Sequence, residues 1–213
     1  MSEDRVAPAI VRRASLAGVQ VSTSLAASLS DYLQLLERWN RTINLTALEL
    51  SPASDEALDR LIVEPLAAAE LLRPTDRSVI DIGSGGGSPA IPLKLARPDL
   101  RFVLVEMKVR KSAFLREAIR HLSLENAAVE TARVEDLAAR GAMASQFDVA
   151  TLRAVRGDRA VLSAIRELLA PGGRVLWFGG VREDLPPTSG FRATAPPARP
   201  GRDLPLELHR GDD

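Results

Sequence analysis

The chain has no cysteine and only two histidines, His121 and His209. Disulfides, thiolate metal sites and cysteine nucleophiles are thereby excluded, and two histidines are too few for a histidine metal centre. Aromatic residues are also sparse, at 4% of 213 positions, so any core must be built mainly from aliphatic side chains. No apolar run approaches the roughly 18 residues that a membrane helix needs. The richest stretch, Leu61 to Leu72, is interrupted by Glu64, Pro65 and Glu70. The first residues lack an apolar segment behind a basic start, so no signal peptide is expected and the cytoplasm is the expected compartment. Formal net charge is zero, which removes the chain-wide basic excess of a general nucleic-acid binder.

What the chain does have begins with a dense cluster of glycine. Between Gly83 and Gly87 four of five residues are glycine, after the β-branched run Val79 to Ile82 and before Pro89, which opens a helical pattern. That order reads as strand, tight turn, helix. Glycine is required where the backbone takes positive φ or approaches a ligand, and the helix start offers unpaired N–H groups. The dinucleotide fingerprint wants a third glycine where Ser88 stands, and Asp81 sits before the first glycine. An acid there is unfavourable beside a pyrophosphate. It suits a ligand with an amino-acid end and a sulfonium charge, and S-adenosylmethionine has both. A nicotinamide-dependent oxidoreductase is the rival use of the same turn.

The rest of the chain divides around this turn. Residues 1–75 read as a helical extension and 76–213 as an α/β domain. In the extension, Val6 to Val19 is weakly helical. Leu25, Leu29, Leu33, Leu36, Trp39 and Ile43 mark a helix over Ser24 to Leu45, and Ala57 to Leu72 is a further helix with Ser54 as its N-cap. Asn40 and Asn44, one turn apart, can read a base edge or a ligand carboxylate, or can cap the helix end. From Val79 the pattern alternates. Strands are expected at Val79–Ile82, Arg101–Val105, Ala127–Thr131, Phe147–Thr151 and Arg174–Phe178, with helices between them. Alternation of this kind predicts a mostly parallel sheet with right-handed crossovers and helices on both faces. Phe191–Ala195 and Leu204–Leu208 are expected edge strands.

Ligands of open α/β sheets sit at the carboxyl ends of the strands. Glu106 closes the second strand, where a carboxylate accepts both hydroxyls of a ribose or pairs with a helix N-terminus. Arg133-Val134-Glu135-Asp136 follows the third and can meet an adenine edge or cap the next helix. Arg153 follows the fourth, with a fork suited to a carboxylate or a phosphate, or to a surface ion pair. Between Lys94 and Arg120, eight basic residues face three acids, a local excess of five positive charges. Such a patch holds phosphates or is a solvated face.

Several of these segments together resemble one family. Trp39-Asn40-Arg-Thr-Ile-Asn44-Leu-Thr46, the glycine turn from Asp81, Ile91-Pro-Leu93, Glu106 with Lys108 to Leu115, Arg133-Val-Glu135 and Arg153-Ala154 are similar to the methyltransferase G family of small-subunit ribosomal RNA, also called the glucose-inhibited division protein B family. The likeness spans about Leu33 to Gly173. It implies a Rossmann-like class I methyltransferase fold, S-adenosylmethionine as cofactor, and 7-methylguanosine in small-subunit ribosomal RNA, free or in a particle, as product. It also implies that Gly83, Ser88, Val134, Glu135 and Arg153 line the cofactor site, with Asp81, Gly85 and Glu106 beside them from the residue reading. Ser88, Ala90, Phe178-Gly179-Gly180 and Val63-Glu64-Pro65 depart from the family pattern.

The residue chemistry agrees with that product. Methylating a pyrimidine carbon needs a cysteine nucleophile, which is lacking. Exocyclic-amine methylation goes with a proline-proline-aromatic loop after the fourth strand, where Leu152-Arg153-Ala154 stands instead. Guanine nitrogen-7 carries a free lone pair, so no general base is named. Lys108, Arg110, Lys111 and Arg116, with Asn40 and Asn44, are the candidate RNA contacts, and a monomer is the expected state. A non-catalytic RNA-binding or ribosome-assembly protein of the same fold is the rival from another functional class.

Overall fold

The computed structural model describes residues 6–180, 185–186, 190–194 and 204–211. Seven strands form one sheet: β1 (Ser78–Ile82), β2 (Arg101–Val105), β3 (Ala127–Glu130), β4 (Phe147–Arg153), β5 (Leu169–Phe178), β6 (Phe191–Thr194) and β7 (Leu206–Arg210). Their order is β3-β2-β1-β4-β5-β7-β6. The first five are parallel, and β7 joins β5 and β6 antiparallel. The order reverses between β1 and β4, which makes their carboxyl ends the switch point where α/β sheets bind ligands.

Alternating side chains of the strands feed two apolar layers. Val79, Phe102, Leu104, Val149 and Leu176 pack with the helices α1 (Val6–Leu16), α2 (Thr23–Asn40), α5 (Ala90–Ala96) and α6 (Val109–His121). Ile80, Val103, Ala150 and Val175 pack with α7 (Val134–Ala139) and α8 (Arg159–Leu168) on the opposite face. A sheet buried on both faces explains why β1 is apolar apart from Ser78 and Asp81. The extension is part of the same construction, since Ile10, Leu29, Leu36, Leu58 and Ile62 lie in the core cluster that covers the first face.

Several boundaries differ from the sequence reading. α2 stops at Asn40 rather than Leu45, because the Asn40 Oδ1 accepts hydrogen bonds from Leu45 N–H (2.8 Å) and Thr46 N–H (3.0 Å) and so turns the chain back. β5 begins at Leu169, so Pro171-Gly172-Gly173 lies within a strand carrying a register shift against β4 rather than in a turn before it. The strand expected at the edge over Leu204–Leu208 is β7, which starts at Leu206, runs to Arg210 and lies between β5 and β6 rather than at the edge. The edge strand expected at Phe191 is present to Thr194, with Ala195 outside the described residues.

The helix expected at Ala57–Leu72 is broken into pieces. After α3 (Asp55–Leu58), capped by the Ser54 hydroxyl as predicted, comes a π-helical turn at Asp59–Val63. Then follow α4 (Glu64–Ala68) and a 3₁₀ turn at Ala69–Leu71. The cause is Pro65. It has no N–H for the carbonyl of Leu61, and the Glu64 N–H bonds to Asp59 O, one residue further back than in an α-helix.

Arg174, in β5, is the largest fully buried side chain. Nη1 and Nη2 donate to the two carboxylate oxygens of Asp76 at 3.0 and 2.8 Å, Nη2 also donates to Leu71 O, and Nε lies 3.0 Å from Glu207 Oε1. It therefore joins the loop before β1 to both β5 and β7. Replacing Arg174 with methionine leaves Asp76 buried and unpaired, which predicts a loss of about 3–5 kcal/mol in denaturant unfolding. A loss below about 1 kcal/mol would show that the pair contributes little.

Candidate active site

The glycine turn leaves β1 at the switch point. Gly83, Gly85 and Gly87 have φ of 71°, 50° and 89°. A Cβ at Gly83 would lie 2.5 Å from Val155 Cγ2, so that glycine is fixed both by its backbone angle and by the space available. The turn is bounded by a cavity of about 450 Å³, lined by Gly83 to Gly86, Ser88, Glu106, Lys111, Arg153 and the loop Leu45 to Leu48.

Two buried carboxylates flank the turn. Asp81 is 1% exposed; its Oδ1 accepts a 2.5 Å hydrogen bond from Thr151 Oγ1, and its Oδ2 has no hydrogen-bond partner. Burial pushes its pKa up to about 6, with Thr151 opposing part of the shift. Glu106 lies at the end of β2, where Oε2 accepts from Gly85 N–H (3.0 Å) and Oε1 from Lys108 N–H (2.7 Å). One carboxylate thus organises both the glycine turn and the start of α6. Each carboxylate oxygen has a second lone pair, so Glu106 keeps acceptor capacity for a ligand's hydroxyls.

Ser88 and Arg153 reach across to the extension. The Ser88 hydroxyl donates to Leu61 O (3.0 Å), the carbonyl that Pro65 cannot serve, and Arg153 Nη1 donates to Arg60 O (2.6 Å). Arg153 Nη2 lies 2.9 Å from Glu64 Oε2, without hydrogen-bonding geometry, and the guanidinium sits 4.7 Å from the centre of the Phe178 ring. Burial lowers the Arg153 pKa and Glu64 opposes it. From α2, Tyr32 donates its hydroxyl to Gly86 O (2.7 Å).

Not every predicted residue gathers at this cavity. Val134 is buried and Glu135 partly buried at the start of α7, beyond the cavity lining, with Glu135 Oε2 3.9 Å from Arg133 Nε. The Asn40 amide is engaged by its own loop, with Nδ2 donating to Thr46 O (3.0 Å), so it shapes the cavity wall, while Asn44 is exposed. The basic patch is smaller than the sequence count implies. Lys94 is buried, with Nζ donating to Pro98 O and Leu100 O; Arg97 and Arg120 pair with Asp99 and Glu117. Arg116 bonds Thr131 Oγ1 (2.8 Å). Lys108 and Arg110 are exposed, Lys111 reaches the cavity, and Met107 and Val109 stand exposed beside them. The sequence reading missed Tyr32 and Glu64. Tyr32 lies on the apolar stripe of α2, where an aromatic reads as core. Among the described residues no cluster of three or more acids or histidines could hold a metal, and no helix is long and apolar enough to cross a membrane.

These residues fit S-adenosylmethionine. Positive-φ glycines bring the backbone to the cavity, Glu106 in its lining keeps acceptor capacity for hydroxyls, and Asp81, buried in β1 outside that lining, has an unsatisfied oxygen. Sheet order and site define a Rossmann-like class I methyltransferase. A SAM-dependent methyltransferase from Aquifex aeolicus has the same fold at 13% identity, with a TM-score of 0.54 over 73% of this chain and 96% of that one. The family model for rRNA small subunit methyltransferase G matches residues 25–184, and the chain belongs to that family. Ribosomal RNA small subunit methyltransferase G of Xanthomonas oryzae pv. oryzae is 39% identical over 163 residues, 76% of this chain and 72% of that protein. Its counterpart in Stenotrophomonas maltophilia is 37% identical over 193 residues, 87% of this chain and 86% of that protein.

A cationic ligand near Asp81 favours the ionised carboxylate, so binding should lower the Asp81 pKa from its free value of about 6. Affinity for S-adenosylmethionine measured by calorimetry should then fall as pH drops through that value, by up to about tenfold per unit. Asp81→Asn should bind more weakly at pH 7.5 and lose that pH dependence; an unchanged profile would remove Asp81 from the site.

Proposed function

We infer that the protein transfers the methyl group of S-adenosylmethionine to nitrogen-7 of a guanosine in small-subunit ribosomal RNA. The observation that carries this is the glycine turn at the switch point, flanked by the buried carboxylates of Asp81 and Glu106, in a member of the methyltransferase G family. Bound in that cavity, the cofactor supplies an electrophilic methyl group on a sulfonium. Asp81 complements the positive charge, Gly83 and Gly85 let the backbone approach, and Glu106 accepts ribose hydroxyls. The adenine extends past that cavity's lining to Val134 and Glu135 at the start of α7. Ser88 and Arg153 hold the wall formed by the extension, with Arg153 also available to the amino-acid carboxylate.

Guanine nitrogen-7 has a free lone pair and loses no proton when it is methylated, so the chain needs no general base. Its contribution is alignment of nitrogen, carbon and sulfur, an effect worth up to roughly 7–11 kcal/mol. Lys108, Arg110 and Lys111 hold phosphate, with Arg116 and the exposed Asn44 at the margins, while Asn40 serves by fixing the Leu45–Leu48 loop. In this reading the protein acts as a cytoplasmic monomer on ribosomal RNA or its particle.

Two measurements test this. Incubation with methyl-labelled S-adenosylmethionine and small-subunit particles, followed by nucleoside digestion, should place the label in 7-methylguanosine. Label elsewhere, or none, contradicts the reading. Reversing Arg110 and Lys111 to glutamate should weaken RNA binding and reduce the slope of log affinity against log salt by about one per lost phosphate contact. An unchanged slope would assign the patch to solvent.

A further inference from the structure

A second cavity, of about 620 Å³, opens at the carboxyl ends of β4 and β5 and shares Arg60 and Arg153 with the first. Its size falls within the roughly 300–1,000 Å³ usual for small-ligand sites. One wall is the charged face of the broken helix, Glu56, Asp59 and Glu64; the opposite side is Phe178 and the glycines after β5. Asp59 is held by Arg13 and Glu64 lies against Arg153, whereas Glu56, exposed on the rim, has no cationic partner among the described residues. Within the partition, Arg153 Nε is buried without a hydrogen-bond partner and Nη2 lies against Glu64 Oε2.

We propose that this second cavity receives the extruded target guanine and that Glu56 is the residue that recognises it. The proposal rests on the methyltransferase reading and specifies its second subsite. Turning nitrogen-7 toward the cofactor cavity turns the opposite edge of guanine, N1–H and the exocyclic NH₂, toward the helix that carries Glu56. An ionised carboxylate accepts both of those donors. Adenine presents an acceptor at N1 and is disfavoured by the same group. Charge points the same way. As the N7–C bond forms and the C–S bond breaks, the sulfur keeps the bonding pair, no proton leaves, and the positive charge passes from sulfonium to purine. Glu56, the carboxylate of this wall without a cationic partner among the described residues, stands where that cation develops. Phosphates are drawn instead to Lys108 and Arg110, outside this cavity.

The test uses the full chain saturated with S-adenosylhomocysteine, titrated with GMP, 7-methyl-GMP, IMP or AMP and followed by saturation-transfer NMR. GMP and 7-methyl-GMP should bind, the methylated cation more tightly, with IMP weaker for want of the exocyclic amine and AMP weakest. Glu56→Ala should weaken GMP roughly tenfold to a hundredfold, the range for hydrogen bonds to a charged group. It should leave the affinity for S-adenosylhomocysteine and the melting temperature unchanged. Equal affinity of the variant for GMP, AMP binding as well as GMP, or no GMP binding at saturation with S-adenosylhomocysteine would each overturn the proposal. Failure of the enzyme reading itself would appear separately, as particles left unmethylated by the wild-type chain.

Discussion

The site depends on a missing hydrogen-bond donor. Pro65 cannot serve the helix carbonyls behind it, and the resulting π turn presents Arg60 O and Leu61 O to the end of the sheet. Arg153 and Ser88 take them, one from the end of β4 and the other from the glycine turn. The Ser88 contact is part-buried, where a carbonyl left without a partner is destabilising by about 1–3 kcal/mol, whereas the Arg153 contact is exposed. The two contacts therefore hold the turn and the helical extension in one arrangement. Tyr32 adds a third tie at Gly86, and the Asn40 loop closes the wall above it.

Charge is partitioned around this junction. Beneath the turn, burial raises the pKa of Asp81 to about 6. Along the outer rim, Lys108 and Arg110 face solvent and suit phosphate. On the far side of Arg153 the helix face carries Glu56, Asp59 and Glu64, the last two paired with Arg13 and Arg153. Such segregation matters for a reaction that carries a positive charge from one ligand to the other while an anionic polymer is held nearby.

Much of this was legible in the chain. The five parallel strands followed from apolar runs alternating with helical periodicity, because a sheet covered on both faces needs apolar residues at nearly every strand position. The glycine turn and Glu106 were legible because positive φ and a strand-end acid leave few substitutes. Other features depended on tertiary contacts. Pro65 was read as an interruption of an apolar run, and nothing local told which groups would take the freed carbonyls. Lys94 counted as surface charge, yet its stem lies in the core and its amine is satisfied by two carbonyls of the following loop. Arg174 resembled any surface arginine until β7 and the loop before β1 closed around it. Ser88, a departure from the family pattern, has its role fixed by a partner 27 residues away.

If the junction at Pro65 unites the extension with the cofactor turn, ligand binding must be felt on both sides of it. Hydrogen exchange followed by mass spectrometry, with and without saturating S-adenosylmethionine, reads this directly. The account predicts slowed exchange in the peptide spanning Asp59–Leu66 together with that spanning Gly83–Ile91. Protection of the glycine peptide alone, with the Pro65 peptide exchanging as in the free protein, would contradict it.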